Sequence, residues 1–196
     1  MKRLASIAFA VLFCFSLCGC KGGNSGSDRR FTVAALGFSS DGALINVFAE
    51  TVIVNSEDPE ISPEARVISG TGATISEALD KIGACLSRPI LLNHCAVIAL
   101  GEDMTSSWLD KICDYCFKEN RITMSAYMVS VKDPNMLLSR GAEASVAVGY
   151  DIMGMIEQQS ERTGIAYNSR YFEVEARREG GKSVFTLPHF SCGEDS

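Results

Sequence analysis

The chain has 196 residues, of which 46% are hydrophobic and 21% charged, with a formal net charge of −6. That apolar fraction can build a packed core and excludes disorder for the body, and the length suits one domain. An acidic balance without a basic cluster excludes a nucleic-acid binder and excludes recruitment to anionic headgroups by charge.

The first segment is a leader. Lys2 and Arg3 precede an apolar run from Leu4 to Leu17, and small residues and a cysteine follow: Leu17-Cys18-Gly19-Cys20. A short basic region, an apolar core and small residues are the layout of a bacterial secretory signal. The core is shorter than the ~18 residues that argue for a membrane span. Leu at −3, Gly at −1 and Cys at +1 resemble the lipobox of bacterial lipoproteins, which implies a diacylglycerol on the Cys20 thiol and cleavage in front of it. The expected organisation is a signal peptide over 1–19, a flexible tether over 20–29 and a folded domain over 30–196. The tether assignment rests on Lys21 to Asp28 (KGGNSGSD), which has almost nothing to bury.

Two β-branched, apolar runs, Phe31 to Phe38 and Leu44 to Val54, flank Ser39-Ser40-Asp41-Gly42 and predict a hairpin. Asn55 to Arg66, with two prolines and several charges, predicts a loop. In the stretch Ser69 to Glu77 (SGTGATISE), Thr74 and Glu77 form a capping box that opens a helix through about Ser87, with Ile75, Leu79, Ile82 and Leu86 on one face. Its glycines lack the Gly-Lys-Ser/Thr of a phosphate loop and read as a tight turn into the helix. Cys95 to Leu100 is a short continuous apolar run, a buried strand. Thr105 or Ser106 caps a helix through about Lys118, and Arg121 to Val131 alternates into another strand, completing a βαβ unit. Asp133-Pro134 starts a short helix that stops at Gly141. Ala142 to Gln159 predicts a longer helix with Val148, Ile152, Met155 and Ile156 on one side. Arg170 to Arg178 fits a strand or a helix capped by Asn168, and Ser183 to Phe190 predicts a proline-interrupted edge strand. The expected fold class is α+β: a mixed sheet with packed helices that includes a βαβ unit.

Chemistry-bearing residues are few. Cys113-Asp114-Tyr115-Cys116 is a C-x-x-C, but it lies two turns into its helix, away from the N-terminal amides that lower a thiol pKa. A second C-x-x-C, as structural zinc sites use, is missing, so two core-facing thiols are the favoured reading. Cys85, Cys95 and Cys192 complete an odd set without a disulfide framework. The two histidines, His94 and His189, accompany no G-x-S-x-G elbow. Glu102-Asp103 follows a strand end, where open α/β sheets bind ligands, and would equally cap the next helix. No enzyme, cofactor or metal site follows from these residues.

Several segments together resemble a known family. Gly70 to Leu79 carries a "G-x-T-xx-EA" helix start. Leu91 to Asp103 carries "H-x-x-V-I-x-x-G-E", followed by a helix, an arginine-bearing turn at Arg121, a strand from Ser125 to Val131 and an "LP-x-[IF]" segment at Leu187 to Phe190. In this order they are similar to the Ger(x)C family, the lipoprotein C subunits of spore nutrient germinant receptors. Family members continue into further domains after the Leu-Pro segment and begin the mature chain with Cys-Trp-Asp, where this one has Cys20-Lys21-Gly22. The resemblance therefore implies an N-terminal domain of Ger(x)C type. It implies a non-enzymatic subunit, lipid-anchored through Cys20 on the outer face of the spore inner membrane and assembled with polytopic A-type and B-type receptor subunits. The competing expectations are an exported small-ligand-binding lipoprotein unrelated to germination and a thiol oxidoreductase working through Cys113 and Cys116.

Overall fold

The structure, a computed structural model, describes residues 31–53, 64–86, 90–119, 122–143, 147–164, 169–181 and 186–191. The predicted leader, tether and lipobox with Cys20, Val54 at the end of the second predicted strand, the 55–63 part of the predicted loop, Arg121, Asn168, residues 182–185 and Cys192 lie outside the described residues. In chain order the elements are β1 (Phe31–Ser40), β2 (Ile45–Ile53), β3 (Glu64–Gly72), α1 (Ile75–Cys85), β4 (Ile90–Leu91), β5 (Val97–Gly101), α2 (Ser106–Glu119), β6 (Tyr127–Val131), α3 (Pro134–Glu143), α4 (Val148–Thr163), α5 (Tyr171–Glu179) and β7 (His189–Phe190).

The strands form one mixed sheet in the order β3-β2-β1-β5-β6-β7, with β4 paired to the start of β1. The β1–β2 and β2–β3 pairs are antiparallel, while β1–β5, β5–β6 and β6–β7 are parallel. The sheet thus joins a three-stranded meander to a parallel half in which α2 carries the chain from β5 to β6. This is the predicted α+β class with its βαβ unit. Gly42, at φ 98°, supplies the left-handed residue the predicted β1–β2 hairpin needs.

Helices cover both faces. On one side Ile75, Leu79 and Ile82 of α1, Trp108, Ile112 and Cys116 of α2, and Tyr171 and Val174 of α5 pack on Val33, Leu36, Phe38, Val47, Ile98 and Met128. On the other, Leu138 of α3 and Ile152 and Ile156 of α4 pack on Ala35, Val97, Ala99, Val129 and Val131. This second sheet face is lined largely by Ala and Val, so α3 and α4 sit close to it. A bulge in β1 between Val33 and Ala35 lets Val33 and Leu36 face the same side despite their odd spacing.

Several expectations are corrected. The glycines of Ser69 to Gly72 are strand, not a turn: β3 runs to Gly72, and neither Gly70 nor Gly72 has a positive φ. Their role is space, since a Cβ on Gly72 would lie 2.8 Å from the backbone nitrogen of Ala78, and one on Gly70 would meet the Ala78 carbonyl. Residues 122–126 form turns, and the strand starts only at Tyr127. Helix α3 does not stop at Gly141 but continues to Glu143, and α4 starts at Val148 rather than Ala142. Met155 leaves the predicted apolar face of α4 and is 56% exposed. The ambiguous segment Arg170 to Arg178 is the helix α5, with Arg170 as its N-cap. The last strand is only His189–Phe190.

Candidate functional site

The parallel strands end beside a crevice of about 330 Å³ whose lining includes Leu100, Glu102, Met104, Leu109, Ser130 and Leu187. Glu102 and Ser130 line it, and His189, which lines the groove between α4 and β7, comes close to both. β7 lies beside β6 with His189 opposite Ser130, which puts the His189 Nδ1 3.5 Å from the Ser130 Oγ. The His189 Nε2 lies 3.9 Å from Glu102 Oε1 in the turn after β5. The sequence presented His189 and Glu102 as separate features, and the sheet brings them together. The order is serine, histidine, carboxylate, yet both separations exceed a working hydrogen bond. The Ser130 N–H is already donated to the Pro188 carbonyl at 2.8 Å, so the serine's own amide is not available to an oxyanion. Glu102 and His189 are both about half exposed, where an ion pair is worth less than about 1 kcal/mol. The group can orient a polar ligand, and its geometry does not activate the serine.

Asp103 does something else. Its Oδ2 accepts the Ser40 N–H at 2.8 Å, which ties the end of β1 to the β5–α2 turn. Thr105, one of the two caps expected for α2, supplies that cap, its Oγ1 accepting the Trp108 N–H at 3.4 Å, so Asp103 is not needed there. His94 is exposed, and its backbone carbonyl accepts the Tyr150 hydroxyl at 3.5 Å.

Cys113 and Cys116 are buried core thiols, as the favoured reading had it, and Cys95 is buried with them. Burial pushes the Cys95 and Cys113 thiols up to about 12 and Cys116 higher still. A thiol held that far above neutrality offers almost no thiolate, the species that attacks a disulfide or binds a metal. The Cys113 carbonyl accepts the buried Tyr171 hydroxyl at 2.9 Å, a contact that joins α2 to α5. Arg178 braces the same pair of helices. Its guanidinium reaches both oxygens of Glu175 at 3.0 and 2.7 Å and Asp114 at 2.7 Å.

The glycine-rich approach to α1 is capped by the protein itself. Thr74 Oγ1 accepts the Glu77 N–H at 3.1 Å, and Glu77 Oε2 accepts the Ala73 N–H at 2.9 Å. Lys81 adds an ion pair to Glu77 at 2.9 Å. Two further grooves flank the sheet. One of about 390 Å³ lies between α1 and α2 and includes Thr74, Trp108, Lys111 and Tyr115. The other, about 430 Å³, lies between α4 and β7 and is lined by Met155, Ile156, Pro188 and Phe190 among others.

One residue that sequence reasoning missed is Glu50. It sits in the middle of β2 with no exposed surface, and its two carboxylate oxygens accept the N–H groups of Val148 at 2.7 Å and Gly149 at 2.9 Å. These are first-turn donors of α4, whose N-cap residue Ala147 has no side-chain oxygen to offer them. Loss of hydration raises the Glu50 pKa above its ordinary value, and the nearby Asp151 charge adds to the rise, while the two amide donors pull it back. Among the described residues no helix is long and apolar enough to cross a membrane.

Comparison with known proteins agrees with the motif order. No curated protein and no solved structure matches the chain. A family model described as the spore germination protein N-terminal domain matches residues 27–191, from just before β1 to just after β7, and so takes in every element of the sheet and both helical layers. The chain belongs to the spore germination protein N-terminal domain family.

Proposed function

We propose that this protein is the membrane-anchored lipoprotein subunit of a spore nutrient germinant receptor. It is held on the outer face of the spore inner membrane by a diacylglyceryl group on Cys20 and assembles there with polytopic A-type and B-type subunits. The observation that carries this reading is membership of a germination family across residues 27–191, directly behind a leader that ends in Leu17-Cys18-Gly19-Cys20. The work of the domain is to present surfaces to partner subunits, not to turn over a substrate. Three features support that view. The thiols of the C-x-x-C are buried with raised pKa values, the Ser130–His189–Glu102 group is loosely spaced with its histidine and glutamate exposed, and Asp103 is engaged in joining β1 to the β5–α2 turn.

The test is affinity purification of the protein from detergent-solubilised spore membranes, with mass spectrometry of what accompanies it. Polytopic membrane proteins that co-purify with the native chain, and are lost in Cys20→Ala, are the expected outcome. Recovery of the acylated chain alone would overturn assembly and favour the exported ligand-binding lipoprotein.

A further inference from the structure

We propose that the end of the domain bearing Phe117, Met124 and Phe172 rests on the lipid surface, with both phenylalanine rings in the interfacial layer. The inference rests on the acylation of Cys20 proposed above.

Three elements converge at this end. Helix α2 returns from the carboxyl end of β5 to the start of β6, so Phe117 in its last turn lies at the amino-terminal end of the parallel strands. Met124 is in the turn before β6, and Phe172 is in the first turn of α5, where its N–H donates to the Met124 carbonyl at 3.1 Å. Phe117 is 55% exposed, Phe172 45% and Met124 39%. Large apolar side chains exposed at the same end of a domain are candidates for a contact surface.

The chain path names the occupant. β1 is parallel to β5, so Phe31 enters the sheet at this same end. Ten residues lie between Cys20 and Phe31. For the Gly/Ser-rich tether that the sequence predicts, that length gives a root-mean-square reach of roughly 18 Å, about half of the ~33 Å length of a ten-residue strand such as β1. An acyl group on Cys20 therefore holds the entry end nearest the bilayer and the hairpin end away from it. The acidic balance, −6 for the full sequence and more negative once Lys2 and Arg3 leave with the leader, makes apolar contact, not charge, the source of attraction. Lys118, 76% exposed beside Phe117 and only loosely paired with Asp114 at 3.9 Å, can lay its stem along the apolar surface and keep its ammonium at the phosphates.

The experiment places the acylated full chain in phosphatidylcholine vesicles whose acyl chains are brominated, which quench tryptophan by contact. No receptor subunit is present, so lipid alone is tested. Single variants Phe117→Trp and Phe172→Trp report on the proposed face. Leu44→Trp, at an exposed position in the β1–β2 hairpin, reports on the opposite end, and the native Trp108 signal is common to all three. Rings buried ~5–10 Å into the interface should be quenched at least about twofold more strongly at 117 and 172 than at 44. Equal quenching at the two ends, none at either, or stronger quenching at 44 would overturn the orientation and leave this face to a protein partner. Acylation is read separately from the mass of the N-terminal peptide. A chain without the lipid mass would overturn the anchoring itself, and the orientation with it.

Discussion

The Glu50 carboxylate holds a helix that begins 98 residues later in the sequence. Its water is replaced by two amide N–H groups and by the positive end of the α4 dipole, which favour the charged form, but complete burial outweighs them and the pKa rises. The sign of the pH effect follows. With a folded pKa above the ordinary 4.5, the native state takes up this proton more readily than the unfolded chain. The contribution to stability is therefore fullest below the unfolded value and is lost as pH rises through the folded one. Glu50→Gln removes the titration while keeping one acceptor. In urea unfolding, the stability of the wild type relative to Glu50→Gln should fall as pH rises above 4.5, and a pH-independent difference would refute the assignment. Glu50→Ala leaves two helix-end donors without their acceptor and should cost about 2–4 kcal/mol at neutral pH. The sequence displays the residue, a lone acid in LINVFAETVIV, but not its partners, because those amides come from an element whose start has no capping side chain to announce it. The thiols were easier to read. Cys113 and Cys116 share apolar neighbours in sequence and in space, so native-state alkylation should modify the exposed Cys85 and leave Cys95, Cys113 and Cys116 unmodified until the chain unfolds, as peptide mass mapping would show.

At the scale of elements, local chemistry marked where helices begin better than where they end. Thr74 with Glu77, Thr105, and Asp133 ahead of Pro134 are caps a reader can see, and each opens a helix at the expected place. Glycine was the weaker guide, because it marks close packing as readily as a turn. Gly70 and Gly72 let α1 approach β3, which is why strand residues there read in sequence as a tight turn. Gly149 is the clearest case. A Cβ there would lie 2.5 Å from the Ala34 carbonyl oxygen and 2.9 Å from the Ala35 Cβ, so α4 reaches the β1 bulge only without one. Gly149→Ala gains up to about 1 kcal/mol of helix propensity but must push α4 off the sheet, a net loss of about 1–3 kcal/mol. Gly154 lies in the same helix with nothing within 4 Å of its Cβ position. Gly154→Ala should therefore stabilise by about 0.5–1 kcal/mol. Opposite shifts of the urea midpoint for the two variants are the expected result, and shifts of the same sign would show that packing does not distinguish the sites.

For the whole molecule, the sheet order sets how stability is distributed, and that order was not legible. Hydrophobic runs disclose strands, but which strand lies beside which depends on contacts that link the β1–β2 hairpin to β5 more than fifty residues away. Residues Val33 to Phe38 of β1 are buried throughout, with β2 and β5 on either side and helices on both faces. At the far edge β7 is two residues long and is joined to β6 at only Ser130 and Val131. Hydrogen exchange should follow this gradient. Amides of β1 and β5 should open only with the global transition, of order 5–15 kcal/mol, whereas the Ser130 N–H bonded to Pro188 should exchange through a local opening of about 1–3 kcal/mol. Native-state exchange across a denaturant series separates the two: the β1 amides should track denaturant concentration with the global slope, and the Ser130 amide should be nearly insensitive to it. A Ser130 amide as protected as Leu36 would mean that β7 is an integral strand of the core. If it instead opens locally, the edge beside the Met155 and Phe190 groove is where the domain can yield without unfolding. A surface that yields to a partner would then have its least costly place at this edge, at the opposite end of the sheet from the start of β1.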